Sequence, residues 1–267
     1  MWDVMEIIEF VPRYVDVPRC YPLGMTFHTI LFTADKNSFV WVADRFSYFG
    51  AGAYGTVAKI AHLNDHRVAY SLWGDEHAMN VADEFAERVK DGRIALGEPR
   101  TAISGLLQLA DDFPPKATRE YEPDPSNLLL APRGLLAAHL SERPQVYRLG
   151  LTKPPRVFVI SGEATSGDTA MNAAGDPFNP AVSFLDYYGR ITPKSTVQEL
   201  LLTGVQMLRV AAATNSRGIR EIDAWICEKG VFRQLSDKQI EVYVEASKSL
   251  DNLVLGALRN APLLPSL

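Results

Sequence analysis

The stretch "TFHTILFTADKNSFVWVADRFSYFG", residues 26–50, decides the fold. Residues 26–32 and 39–43 are rich in β-branched and aromatic side chains, and "TADKNS" between them supplies the Asp, Lys, Asn and Ser of a turn. The pattern predicts a hairpin. "VAKIAHL" (57–63) and "RVAYSLW" (67–73) repeat it around "NDH" and predict a second. The period then changes. In "GDEHAMNVADEFAERVKDG" the apolar residues Ala78, Val81, Ala82, Phe85 and Val89 recur at helical spacing, with acids early and Arg88 and Lys90 late. A second helix is expected over "RTAISGLLQLADD" (100–112).

Downstream, five prolines between residues 113 and 134 break any regular element and mark an inserted excursion rather than a domain linker. "QVYRLGL" and "RVFVISG" read as strands, and "TVQELLLTGVQMLRVAAATN" as a helix of about five turns. "EIDAWICEKGVFRQLS" closes as a hairpin around Glu228, Lys229 and Gly230. The order is strands, helices, strands, helix, strands. Without βαβ alternation a doubly wound parallel fold is disfavoured, and two antiparallel sheets with helices outside is the natural packing.

The 267 residues are 47% hydrophobic, enough for one sizeable core, so one domain is the expectation for 26–267. Net charge is −5 with pI near 5.6, and acids and bases alternate without blocks. That gives no footprint for nucleic acid or an anionic membrane. The N-terminus carries Asp3, Glu6 and Glu9 where an export signal needs positive charge and an apolar run. The most apolar region, "LLLTGVQMLRVAAA", is interrupted by Gln206 and Arg209 and is too short to span a bilayer. Two cysteines, Cys20 and Cys227, lack ligand or disulfide spacing, which fits a reducing cytoplasm.

Most chemical motifs fail. Gly50, Gly52 and Gly55 lack the GxxxxGK[ST] spacing of a phosphate loop, the five histidines form no HExxH, and no GxSxG elbow occurs. No cofactor and no metal site is expected.

One ordered combination remains: Thr26, "ADR" at 43–45, Gly50, "AKI" at 58–60 and Gly74 entering the first helix. It resembles the first third of a proteasome-type β-subunit, an N-terminal-nucleophile (Ntn) hydrolase, in its bacterial proteasome-like branch. "VISGEATSG" resembles that family's Gly/Ser segment near the nucleophile and brings in Ser161. "ATNSRGIREIDAWICEKGVFRQLSD" is similar to its closing turn and strand pair, which brings in Asn215 and Ser216, with a neutral residue where the family has Asp. The resemblance covers most of residues 26–237. It implies an α+β fold, a four-layer αββα sandwich, and a peptidase acting on peptide or unfolded-protein substrates. It also implies a homo-oligomeric ring or spiral, and names no ATPase partner. The first hairpin is slightly longer than the family's spacing, which makes Thr29 an alternative match for Thr26.

Chemistry gives each residue a role. A threonine hydroxyl needs a base. If Thr26 is the first residue, its own α-amine, ordinarily near 7.7–8.0, can take the proton. Lys59 favours the alkoxide by its charge, and Asp44 holds Lys59. Backbone N–H groups near Gly74 can form the oxyanion hole, with Arg45 on the substrate side. Methionine before a small residue is what methionine aminopeptidase removes, so residues 1–25 read as an extension, a propeptide or a mis-assigned start. Two other readings stay open. A non-catalytic subunit would keep that extension, and a small-molecule amidase or acylase would use the same nucleophile.

Overall fold

The computed structural model describes residues 27–33, 35–48, 54–56, 58–63, 68–73, 76–96, 99–112, 133–138, 144–150, 156–159, 171–174, 195–214 and 221–259. Most of the Pro-rich stretch lies outside them; its last two residues, Arg133 and Gly134, open a strand.

The first hairpin forms as expected. β1 (His28–Phe32) and β2 (Ser38–Asp44) pair antiparallel with His28 opposite Ala43 and Phe32 opposite Phe39. Asp35 builds the turn: its Oδ1 accepts from the Thr33 hydroxyl at 2.6 Å and from the Asn37 amide at 3.0 Å. Lys36 takes the left-handed conformation there, φ 57°. β3 (Phe46–Tyr48) and β4 (Tyr54–Thr56) make a small ribbon. β5 (Ala61–Leu63) is shorter than the sequence predicts. Residues 58–60 lead into it without ladder pairing, so Lys59 precedes the strand instead of lying on it. β6 (Val68–Trp73) follows, then α1 (Glu76–Lys90) and α2 (Pro99–Asp112).

β7 (Arg133–Ala138), β8 (Gln145–Gly150) and β9 (Arg156–Val159) complete one antiparallel sheet, ordered β5-β6-β7-β8-β9. β10 (Met171–Ala174) returns to the first sheet beside β1. α3 (Val197–Thr214) precedes the closing hairpin of β11 (Ile222–Glu228) and β12 (Val231–Gln234), and the first sheet runs β10-β1-β2-β11-β12. Lys229 and Gly230 both have positive φ (48° and 85°), as a two-residue primed turn requires. α4 (Asp237–Arg259) ends the described chain.

Alternation divides the first sheet's side chains between two cores. One face presents Ile30, Phe32, Phe39, Trp41, Ala43, Trp225 and Cys227 to Ala69 and Val146 of the second sheet and to Ile60, just before β5. The other face presents Phe27, Leu31, Val40, Val42, Ala224 and Ile226 to Leu200, Leu201, Val205, Met207, Leu208 and Ala211 of α3, with α4 adding Ile240. The second sheet's outer face packs Val68, Tyr70 and Tyr147 on Val81, Phe85, Ala102, Ile103, Leu106 and Leu109 of α1 and α2. The layers are therefore helix, sheet, sheet, helix, the α+β sandwich expected.

Two helices begin with reciprocal caps. The Thr196 amide donates to Glu199 Oε2 at 2.7 Å while the Glu199 amide donates to Thr196 Oγ1 at 3.3 Å. Ser236 and Gln239 do the same for α4, at 2.9 and 3.4 Å. Among the described residues no helix is long and apolar enough to cross a membrane.

Candidate active site

Where β1 begins and β2 ends, the backbone ladder is replaced by a side chain. The Asp44 amide donates to the Phe27 carbonyl at 3.2 Å, and the Phe27 amide donates to Asp44 Oδ1 at 2.8 Å. Asp44 Oδ2 accepts from Lys59 Nζ at 2.6 Å. One carboxylate thus grips the first described peptide of β1 with one oxygen and the incoming lysine with the other.

Both ionic side chains are secluded: Asp44 is 0% exposed and Lys59 8%. Burial lowers the Lys59 ammonium from its ordinary value, against the attraction of Asp44. The same burial raises the Asp44 carboxyl against Lys59 and the Phe27 amide. The 2.6 Å contact and the amide donor on the second oxygen favour the charged pair. A lysine made easier to deprotonate, held by the carboxylate that also binds the Phe27 amide, can polarise a hydroxyl brought to it or share its proton.

Behind this pair lies a network the sequence did not flag. His28 is fully buried. The Trp41 indole donates to His28 Nδ1 at 3.2 Å, which makes Nδ1 an acceptor and leaves the proton on Nε2. Nε2 faces the Ser71 hydroxyl at 3.3 Å, so Ser71 accepts and the imidazole bridges the two sheets. A neutral ring with its Nε2 protonated cannot serve Ser71 as a base, so this Ser-His pair is a strut. Burial holds the imidazole well below its ordinary value, and the Lys59 charge adds to that. The signal available in sequence was alternation: residue 28 shares a face with Ile30 and Phe32.

Arg45 turns away from the pair. Its amide donates to the Glu221 carbonyl at 3.1 Å, and its guanidinium reaches Asp237 Oδ1 at 3.2 Å and Asp223 Oδ1 at 3.6 Å. Asp223 Oδ1 also accepts from Gln234 at 2.9 Å. Asp223 Oδ2 and Arg45 Nε have no hydrogen-bond partner among the described residues. Arg45 therefore ties the end of β2 to β11 and to the start of α4.

Thr29, the alternative match, is fully buried on the α3 side, where its hydroxyl meets Met207 Sδ at 3.3 Å. No water or substrate reaches it. Of the remaining candidates, Thr26, Gly74, Ser161, Asn215 and Ser216 lie outside the described residues. Chain connectivity still orders them. Thr26 directly precedes Phe27, Gly74 directly follows Trp73, and Asn215 directly follows the last residue of α3. β9 runs from Arg156, level with Trp73 across the sheet, to Val159, level with Tyr70. Among the described residues no group of three or more His, Cys, Asp or Glu could hold a metal.

No protein-family model and no curated protein matches the chain. Solved structures do. Anbu (ancestral β-subunit) from Yersinia bercovieri superposes with a TM-score of 0.67 at 9% identity, covering 89% of this chain and 98% of that one. The Gly-1 mutant of Anbu from Hyphomicrobium sp. strain MC1 gives 0.65 at 12%, covering 90% and 100%. The helical assembly of the Anbu complex from Pseudomonas aeruginosa gives 0.64 at 11%, covering 90% and 98%. At such identities the likeness shows the fold alone. It corrects the resemblance drawn from the motifs, which named the proteasome-type β-subunit: these structures are of Anbu, a distinct proteasome-like family.

Proposed function

We propose that the chain is a threonine-type amide hydrolase on the Anbu-like fold, acting on peptide bonds with Thr26 as nucleophile once residues 1–25 are absent. The observation that carries the reading is the buried Asp44–Lys59 pair, joined through Asp44 Oδ1 to the peptide N–H that follows residue 26. An ion pair this secluded costs desolvation energy, and such pairs gather where a pKa has work to do.

In the proposed reaction the Thr26 α-amine takes the hydroxyl proton, directly or through one water, as Oγ1 attacks the substrate carbonyl. The Lys59 charge favours the oxygen nucleophile, and backbone N–H groups near Gly74 receive the developing oxyanion. The amine product leaves with the transferred proton. Water, deprotonated by the same α-amine, then hydrolyses the ester on Thr26. Ser161, Asn215 and Ser216 are the auxiliary residues, and no cofactor is required. A free, buried Cys227 fits a cytoplasmic setting.

Turnover of a peptide substrate is expected to fall by at least about 10³-fold in Thr26→Ala. The same fall is expected in Lys59→Met made together with Asp44→Asn, so that no buried charge is stranded. Thr29→Ala should stay within about threefold of wild type. Circular dichroism checks that each variant folds. Unchanged turnover in Thr26→Ala would remove the nucleophile.

Self-association is part of the reading. One structural neighbour is a helical assembly. On this chain α4 leaves Val242, Leu253 and Val254 exposed at 66, 70 and 57%. A second copy covering that stripe removes the cost of wetting it. Sedimentation should show an assembly that Val242→Glu/Leu253→Glu breaks to smaller species; a wild-type monomer at micromolar concentration would refute it.

A further inference from the structure

Two side-chain contacts show how the sheets are stacked. Trp225, level with Trp41 and Ile30 in the first sheet, meets His62, level with Ala69 in the second, with ring centroids 5.0 Å apart. Further along, His28, level with Ala43, meets Ser71 at 3.3 Å. Going from Ile30 to His28 on β1 therefore matches going from Ala69 to Ser71 on β6. Continued in the same direction, β1 leads back to residue 26 and β6 leads on to Trp73 and residue 74.

The His28–Ser71 link is buried and directional. The two residues are 0% and 1% exposed, too secluded to touch a substrate. The Trp41 indole holds the ring from behind by donating to Nδ1 at 3.2 Å, so the Nε2 proton points at Ser71 Oγ. Ile30, Ala43 and Ala69 belong to the apolar core between the sheets. Apolar packing alone tolerates sliding, whereas a satisfied buried hydrogen bond specifies one separation. Lys59 and Asp44 join the approach to β5 to β2, and His62 with Trp225 joins β5 to β11. His28 and Ser71 join β1 to β6, the strands that lead to the proposed nucleophile and to the proposed oxyanion donors.

We propose that His28 and Ser71 are positioning residues whose hydrogen bond sets the separation between the start of β1 and the end of β6, and through it that between Thr26 Oγ1 and the N–H groups near Gly74. The hydrolytic half of this statement rests on the proposed function. Consecutive Cα atoms are about 3.8 Å apart, so Thr26 lies within about 7.6 Å of His28 and Gly74 within about 11.4 Å of Ser71. Over so few residues a displacement at the link is passed to both groups. A misplacement of about 1 Å between reacting groups costs on the order of 10²-fold in rate.

The test uses a chain beginning at Thr26, released from a fusion, which retains every described residue. Ser71→Ala removes the acceptor, and His28→Asn keeps an acceptor for Trp41 while losing the reach to Ser71. In each, kcat on a peptide is expected to fall by at least about 30-fold with KM within about threefold. His28→Asn/Ser71→Ala should lose no more than about twofold beyond the worse single variant, because one bond is removed in all three. Ser71→Thr keeps the hydroxyl and should hold kcat within about threefold. If it does not fold, His28→Gln, with an amide N–H at the reach of Nε2, takes its place. Hydrogen exchange at the Phe27 amide, which Asp44 Oδ1 accepts, reads the start of β1 without catalysis. By NMR it should be at least about tenfold faster in Ser71→Ala and unchanged in the hydroxyl-keeping variant. Lowered stability with unchanged kcat per folded molecule overturns the proposal, as does an equal loss of kcat in Ser71→Thr. Unchanged Phe27 exchange in Ser71→Ala overturns it whatever the activity. A wild type that cleaves no peptide but shows the expected exchange pattern leaves the link standing and removes the hydrolase reading.

Discussion

His28 and Lys59 lie close in space and meet burial with opposite solutions. Lys59 keeps a carboxylate at 2.6 Å, whereas His28 gives up its charge and spends both nitrogens on neutral partners, Trp41 and Ser71. The neutral solution has a cost in acid. Because burial holds the native imidazole well below its ordinary value of 6.5, the unfolded chain binds the proton first as pH falls. Stability from this group is therefore intact above 6.5 and lost below it, by up to about 1.4 kcal/mol per pH unit until the native ring also titrates. Urea unfolding between about pH 7 and 5.5 should show this slope in wild type and a flatter one in His28→Gln; identical slopes would contradict it. Asp44 and Lys59 were legible in sequence because their order along the chain carries the information. His28 was not, since a lone histidine on a strand reads the same whether it faces solvent or a core. Thr29 shows the reverse: three residues from Thr26 in sequence, it lies on the α3 side of the sheet, and only that packing shows that it is shut away.

At the scale of elements, α3 sits against β1 and β2 because Gly204 lets it. A methyl group built there would come within 2.8 Å of Val42 Cγ2 and 3.2 Å of Thr29 Cγ2. Gly204→Ala should therefore destabilise by about 1–3 kcal/mol despite its better helix propensity. Gly256, in α4, would place a methyl in open space, and Gly256→Ala should stabilise by up to about 1 kcal/mol. Denaturant midpoints of the two variants check both signs; equal shifts would mean that the close approach at Gly204 is not real. Helices α1, α2 and α3 were legible from periodicity, as were the main hairpins. α4 was missed because its apolar residues do not form one stripe: Ile240 is buried and Tyr243 and Val244 partly so, while Val242 and Leu253 face outward. β3, β4 and β10 span three or four residues each, too few for alternation to register.

Across the whole molecule, the sandwich brings the ends of β1, β2 and β6 and the approach to β5 to a single margin, where the Asp44–Lys59 pair joins the end of β2 to that approach. The layer order could be read from the sequence because strands and helices alternate in blocks. The family likeness needed correction because it rested on a few short motifs, whereas the superposition on Anbu covers about 90% of the chain. The proposed amide hydrolysis requires a free amine on Thr26, a property of the whole chain's processing. The most direct measurement is the intact mass of an active preparation made in the native host. A chain that begins at Thr26, with activity tracking its abundance, is the predicted result. Full activity in a chain that still carries residues 1–25 would contradict the account.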